Sequence, residues 1–251
     1  MKTIFLTGGS TGIGRSIARL FYSKGYNVSF IDINEPMAME CVKGWEETRY
    51  LFTLGSVTER ETLSTAVAQT VAKFGKIDSL IINCGIHRVN NLTTIEPDEL
   101  DLMLDVNIKG VVNTLQVAMP TMISAGGGTI VVNVSDQAFI AKPNSFGYTL
   151  TKGAVSQIIK SVAVDYGSQG ISISGVSAGT ILTPLSQNLL QKWADREFNG
   201  SLERAIAEEA KDYPIGRIGN ADEVAEMFYY LANAPFVTGS LHLIDGGLVA
   251  G

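Results

Sequence analysis

Tyr148 and Lys152 stand four residues apart in the run Tyr-Thr-Leu-Thr-Lys. On a helix this spacing puts both side chains on one face, within reach of each other. The chemistry it allows is acid–base: a phenol titrates near 10, and an adjacent ammonium can lower that value at about 1.4 kcal/mol per pKa unit. Alone, the pair also fits an exposed helix pair. A second group lies near the N-terminus, where Thr7 to Gly14 reads TGGSTGIG between an apolar run and a helical stretch. That context suits a dinucleotide-binding turn. A Cβ at Gly8, Gly12 or Gly14 would block the tight turn, the approach of backbone N–H groups to a pyrophosphate, or the packing of helix on strand. The helix N-terminus supplies partial positive charge. A nucleoside-triphosphate loop is disfavoured, because Arg15 and Ser16 stand where Lys-Ser/Thr would follow the last glycine.

Asp32 lies 18 residues after Gly14, where a carboxylate would accept hydrogen bonds from the adenosine ribose hydroxyls. A carboxylate there repels a 2′-phosphate, and Ile33 and Asn34 bring no compensating cation. The expected cofactor is therefore NAD. The alternative is a solvated aspartate at a strand end.

The elements that must hold these groups are legible as an alternation of short apolar runs with helix-period stretches, which predicts a parallel sheet covered by helices on both faces. Strands are expected near Thr3–Thr7, Asn27–Asp32, Arg49–Leu54, Asp78–Asn83, Thr129–Ser135, Ile171–Ala178 and Ser240–Ile244. Helices are expected near Gly12–Lys24, Glu35–Glu47, Glu59–Phe74, Pro97–Ile123, Phe146–Gly167 and Ala221–Ala232. The fold class is α/β: a Rossmann-type, doubly wound, seven-stranded parallel sheet forming a single domain over residues 1–251. The stretch from Leu185 to Asp212 breaks the rhythm, being rich in charge with Trp193 and Phe198 among polar residues. Inserted after a strand's carboxyl end, it is expected to be a substrate lid.

Composition narrows the function classes. The 251 residues are 45% hydrophobic and 18% charged, a globular balance, and the net charge of −6 with no basic run gives no footprint for nucleic acid or an anionic membrane. The two cysteines and two histidines show no metal-ligand or disulfide spacing, so no metal site is expected. Neither a signal peptide's apolar core nor a run of eighteen apolar residues occurs, and the expectation is a cytoplasmic protein acting on a small molecule.

Taken in order, TGGSTGIG, Asp32, Asn83-Cys84-Gly85, Asn107, Ser135, the Tyr148/Lys152 pair, Thr183-Pro184 and Ile244-Asp-Gly-Gly247 resemble the short-chain dehydrogenase/reductase family over nearly the whole chain. Ser135 precedes Tyr148 by 13 residues and follows Asn107 by 28, as the family pattern expects. The resemblance implies that Tyr148 exchanges a proton with the substrate oxygen while Ser135 hydrogen-bonds that oxygen. Lys152 would lower the Tyr148 pKa and hold the nicotinamide ribose, Asn107 would complete a water-linked proton path to Lys152, and Thr183 would contact the nicotinamide carboxamide. The cofactor-binding set it implies is Gly8, Ser10, Thr11, Gly12, Ile13, Gly14, Asp32, Ser56, Val57, Asn83, Gly85, Tyr148, Lys152, Ile181 and Thr183. Three positions depart from the family: Ile82 replaces an asparagine, Ala178 a proline and Ser56 an aspartate.

Candidate substrate contacts follow the fourth and fifth strands at His87, Arg88, Gln137 and Phe139, with Leu185, Leu189 and Trp193 from the lid. The loop Asn83–Val89 resembles that of 3-hydroxybutyrate dehydrogenases, but Ser145 stands where those enzymes carry a lysine three residues before the tyrosine. The expected substrate is thus a sugar, polyol or short hydroxy acid. The resemblance also implies a homotetramer paired through the two longest helices. A protein that senses NAD without turnover is the rival reading.

Overall fold

In the computed structural model, which describes residues 1–250, the seven predicted strands form one parallel sheet: β1 (Thr3–Thr7), β2 (Asn27–Asp32), β3 (Tyr50–Leu54), β4 (Ser79–Ile82), β5 (Gly128–Asn133), β6 (Ile171–Ala178) and β9 (Leu241–Ile244). Their order is β3-β2-β1-β4-β5-β6-β9. Direction of winding reverses between β1 and β4, which opens a crevice beyond their carboxyl ends, where ligands bind in doubly wound sheets.

Strand pleating sorts alternate residues into two cores. Ile4, Leu6, Val28, Phe30 and Ile81 face α1 (Gly12–Ser23) and α9 (Ala221–Ala232), against Ile17, Phe21, Val224 and Phe228. Phe5, Ile31, Leu80, Ile82, Ile130 and Ile173 face α3 (Arg60–Phe74), α5 (Gly110–Ser124) and α6 (Phe146–Tyr166), against Leu63, Val67, Leu115, Met122, Val155 and Ile159. With both faces covered, the strands read as continuous apolar runs rather than alternating ones. Ile82 sits fully in the second core and Ala178 in the first, so both departures from the family pattern are packed positions.

Two predicted helices differ in the structure. The one expected over 35–47 stops early, as α2 (Glu35–Cys41), because Gly44 adopts φ +82° and turns the chain so that Trp45 stacks on Tyr22 at 4.1 Å. The one expected over 97–123 is α4 (Pro97–Leu104) and α5, joined by a π turn at Asp105–Lys109. Such turns insert one residue into the helical ladder and re-aim a side chain; here the re-aimed residue is Asn107.

The inserted stretch folds as α7 (Pro184–Glu197) and α8 (Leu202–Glu209). Thr183 starts α7 with a reciprocal capping box to Ser186. At its base a two-stranded sheet missed by the sequence reading, β7 (Ile181–Leu182) with β8 (Gly219–Asn220), ties entry to exit. Among the described residues no helix is long and apolar enough to cross a membrane.

Candidate active site

The loop between β1 and α1 has the shape its glycines require. Gly8 and Gly12 have φ of +73° and +53°, and a Cβ on Gly14 would lie 1.8 Å from the Gly8 carbonyl oxygen. Thr11 precedes α1 without capping it through its side chain, and the buried Ser10 hydroxyl has no hydrogen-bond partner. The loop thus combines a close-approach backbone, unspent first-turn N–H groups and an orphaned hydroxyl, which together fit a pyrophosphate. Asp32 is fixed beside it, one carboxylate oxygen accepting from the Ser10 N–H at 2.9 Å and the other from Asn34 N–H at 3.0 Å. Across the crevice Asn83 donates from Nδ2 to the Gly8 carbonyl at 2.8 Å. Ser56 and Val57 follow β3 and Gly55; Val57 is buried, and a Cβ on Gly110 would collide with it. These residues fit a dinucleotide along the carboxyl edge of β1 to β4.

Tyr148 and Lys152 lie one turn apart in α6, with the Lys152 ammonium 5.4 Å from the phenol ring centre. Lys152 is buried and donates to the Asn133 carbonyl at 2.9 Å. Burial lowers its pKa to about 8. The Tyr148 phenol is pushed up to about 12 by burial, with the Ser135 hydroxyl opposing and the Asp136 carboxylate adding to the rise. Gly85 lies beside Lys152 and Asn107: a Cβ there would stand 3.4 Å from Asn107 Oδ1 and 3.7 Å from Lys152 Nζ.

Asn107 is 1% exposed and clamps the loop after β4. Its Oδ1 accepts from Ile86 N–H at 2.8 Å, and its Nδ2 donates to the Ile86 carbonyl at 2.9 Å and to Thr151 Oγ1 at 3.1 Å. The clamp places His87 flat against the tyrosine, ring centres 4.4 Å apart, with Nε2 3.1 Å from Ser145 Oγ. Burial, with Lys142, Lys152 and Arg88 nearby, lowers the His87 pKa to about 4, so the ring is neutral near pH 7.

A cavity of about 650 Å³ opens in front of Tyr148. Of the predicted substrate residues, His87, Gln137, Leu185 and Trp193 line it, as does Leu189; Ile13, Ile181 and Thr183 join it to the glycine loop. Arg88 does not line it. Its guanidinium turns out to solvent and bonds its neighbour's carbonyl, His87 O, at 3.1 Å. Phe139 also lies outside, 46% exposed, because the short helix Asp136–Ala138 rotates Ile140 into the cavity instead.

The sequence reading missed a polar cluster on this wall. Ser135 Oγ donates to Asp136 Oδ1 at 2.6 Å, and Lys142 Nζ lies 3.4 Å from Asp136 Oδ2 and 3.2 Å from Glu209 Oε1. Tyr213 Oη and Thr180 Oγ1 complete the ring around Lys142 at 3.2 and 3.3 Å. Burial pulls the Lys142 pKa down, but Asp136, Glu209 and Tyr213 more than offset this and hold it above the ordinary value. The one signal available was a charged residue directly after Ser135 at a strand's carboxyl end.

The chain is similar along its length to known oxidoreductases. The family model described as enoyl-(acyl carrier protein) reductase matches residues 8–249. Oxidoreductase UcpA of Escherichia coli K12 is 32% identical over 98% of this chain and 94% of its own length. L-fucose dehydrogenase of Mus musculus is 32% identical over 100% and 89%. Among solved structures, a short chain dehydrogenase family protein of Francisella tularensis superposes with a TM-score of 0.89 at 32% identity, all of both chains being covered. ElxO with NADP bound superposes with a TM-score of 0.89 at 29% identity, covering 100% of this chain and 99% of the other.

Proposed function

The chain belongs to the short-chain dehydrogenase/reductase family of oxidoreductases, and from that premise we propose that it interconverts a secondary alcohol and the matching ketone, with NAD as the hydride carrier. The observation that carries this reading is that Tyr148 and Ser135 line one cavity together with Ile13 of the glycine-loop helix, while buried Lys152 stands one helical turn from Tyr148 with its ammonium 5.4 Å from the phenol ring centre.

A nicotinamide dinucleotide held by the glycine loop, Asp32, Lys152 and Thr183 would supply the hydride chemistry; the chain's residues handle the proton and hold the substrate. In the oxidation direction the Tyr148 phenolate takes the carbinol O–H proton. A phenol near 12 is scarcely ionised at neutral pH, so this step needs positive charge nearby. Lys142 lowers the phenol pKa from the cavity wall, and Lys152, protonated below about 8, stands one helical turn away to add to it. Ser135, whose hydroxyl donates to Asp136 Oδ1 before substrate binds, would turn that proton to the reacting oxygen; Asn107 would belong to the water-linked proton path to Lys152, and Thr183 would contact the nicotinamide carboxamide. NAD is favoured over NADP because Asp32 is held in place by two backbone amides.

The substrate is small and polar, a sugar, polyol or short hydroxy acid, and α7 and α8 act as its lid. The charged side chains of Asp136, Lys142 and Glu209 on the cavity wall support this reading. An NADH-appearance screen across sugars, polyols, hydroxy acids, steroids and acyl thioesters tests it. Turnover confined to steroids or acyl thioesters overturns the substrate class. Tight NADH binding without turnover of any alcohol or ketone overturns the enzyme and favours an NAD sensor.

A further inference from the structure

We propose that Asp136, held by Lys142 and Glu209, is a specificity-determining residue that accepts a hydrogen bond from a substrate hydroxyl next to the reacting carbon, so that the enzyme selects neutral vicinal diols, as in sugars and polyols, over carboxylates. This rests on the dehydrogenase reading above and narrows its substrate.

Asp136 is 2% exposed, yet it faces the cavity. Its Oδ1 is occupied by the Ser135 hydroxyl at 2.6 Å. Its Oδ2 has no hydrogen-bond partner, the Lys142 ammonium standing 3.4 Å away without the alignment of a hydrogen bond. The Lys142 charge offsets part of the cost of burying this oxygen but gives it no aligned donor, and a hydroxyl of the ligand would supply one. Ser135 and Asp136 are consecutive, so a ligand whose reacting oxygen meets Ser135 brings the hydroxyl of the adjacent carbon toward Asp136.

Charge on this wall argues against an acid. Lys142 is the cation a substrate carboxylate would need, but it is surrounded by Asp136, Glu209, Thr180 and Tyr213. Two carboxylates around one ammonium leave the wall net negative, and an acid would meet repulsion there. Arg196 also lines the cavity, but it is exposed on α7, with Nε donating to the Lys192 carbonyl. Glu209 and Tyr213 reach Lys142 from the end of α8 and just beyond it, so the lid closes onto the same cluster.

The test uses the wild-type protein first. For the best sugar or polyol from the screen, kcat/KM is measured beside the analogue lacking the hydroxyl next to the reacting carbon, and beside the analogue bearing a carboxylate at the same position. A charge-assisted hydrogen bond to a buried carboxylate predicts a preference of about 10- to 100-fold for the diol over the deoxy analogue. The carboxylate analogue is expected to be the poorest of the three. Asp136→Asn should then collapse the diol-to-deoxy ratio at least tenfold, with NADH titration confirming an intact cofactor site. Equal turnover of diol and deoxy substrates by the wild type, or an equal loss on both in Asp136→Asn, overturns the assignment while leaving the dehydrogenase reading intact. A carboxylate substrate preferred over the diol overturns it too. Absence of turnover with every alcohol and ketone overturns both readings.

Discussion

Replacing Asp32 by asparagine removes one negative charge from the rim of the glycine loop and changes little else in size. In the wild type the carboxylate cannot swing away from a bound nucleotide, because its two oxygens accept from Ser10 N–H at 2.9 Å and Asn34 N–H at 3.0 Å. A phosphate charge about 4 Å away costs about 4 kcal/mol at an effective dielectric near 20. Salt at physiological strength, with a Debye length of about 8 Å, reduces this to about 2–3 kcal/mol. The expected outcome is a preference of about 30- to 150-fold for NAD over NADP in kcat/KM. Asp32→Asn should bring the two cofactors within about fivefold of each other, at the expense of one backbone hydrogen bond. Steady-state kinetics with both cofactors at low and high salt provide the assay. Wild-type discrimination should weaken as salt rises, and the variant's should be nearly flat. The reasoning fails if the wild type uses NADP as well as NAD, or if the variant keeps the wild-type ratio.

Three further outcomes follow from the same geometry. The His87 pKa is lowered from 6.5 to about 4, so at pH 5 the unfolded chain binds a proton there that the folded one does not; stability is intact above about 6.5 and declines as pH falls toward 4. The ceiling is about 3 kcal/mol, reduced to about 1–2 by the ring's partial exposure, and His87→Gln should flatten the thermal midpoint across that window; an unchanged slope refutes it. Gly14→Ala sets a Cβ against the Gly8 carbonyl and the Asn83 amide, and should lose about 1–3 kcal/mol of stability together with NADH affinity, read by thermal unfolding and fluorescence titration. Leu102, Leu150 and Val164 leave apolar surface exposed on α4 and α6, and light scattering should give about four times 26.9 kDa, with Val164→Asp lowering it; a wild-type monomer at micromolar concentration contradicts the tetramer.

The sheet was legible because its strands are buried on both faces, so their apolar runs stand out between helix-period stretches, and β1, β2 and β6 match residue for residue. The glycine loop was legible because its constraints are local: φ +73° at Gly8 and +53° at Gly12 leave few alternatives to glycine. Less visible were features set by tertiary contact. The π turn at Asn107 has ordinary helical composition on both sides, and only the bonds from its side chain to Ile86 reveal why the ladder is interrupted. Arg88 follows a residue that enters the cavity, yet alternation along an irregular loop turns it to solvent. The Asp136–Lys142–Glu209 cluster joins residues as far apart as positions 136 and 209, and no spacing rule connects them. Its members meet only because α8 folds back over the carboxyl ends of β5 and β6.

The central claim is that Tyr148 is the proton-exchanging group beside a nicotinamide site. Tyr148→Phe tests it most directly, measured as turnover of the best substrate alongside NADH affinity by fluorescence titration. Removing only the phenolic hydroxyl should reduce kcat by about 10²- to 10⁴-fold while NADH affinity stays within about threefold, since general acid–base transfer contributes that much and the ring still stacks on His87. A variant that keeps a third or more of wild-type turnover, with NADH bound as before, contradicts the claim.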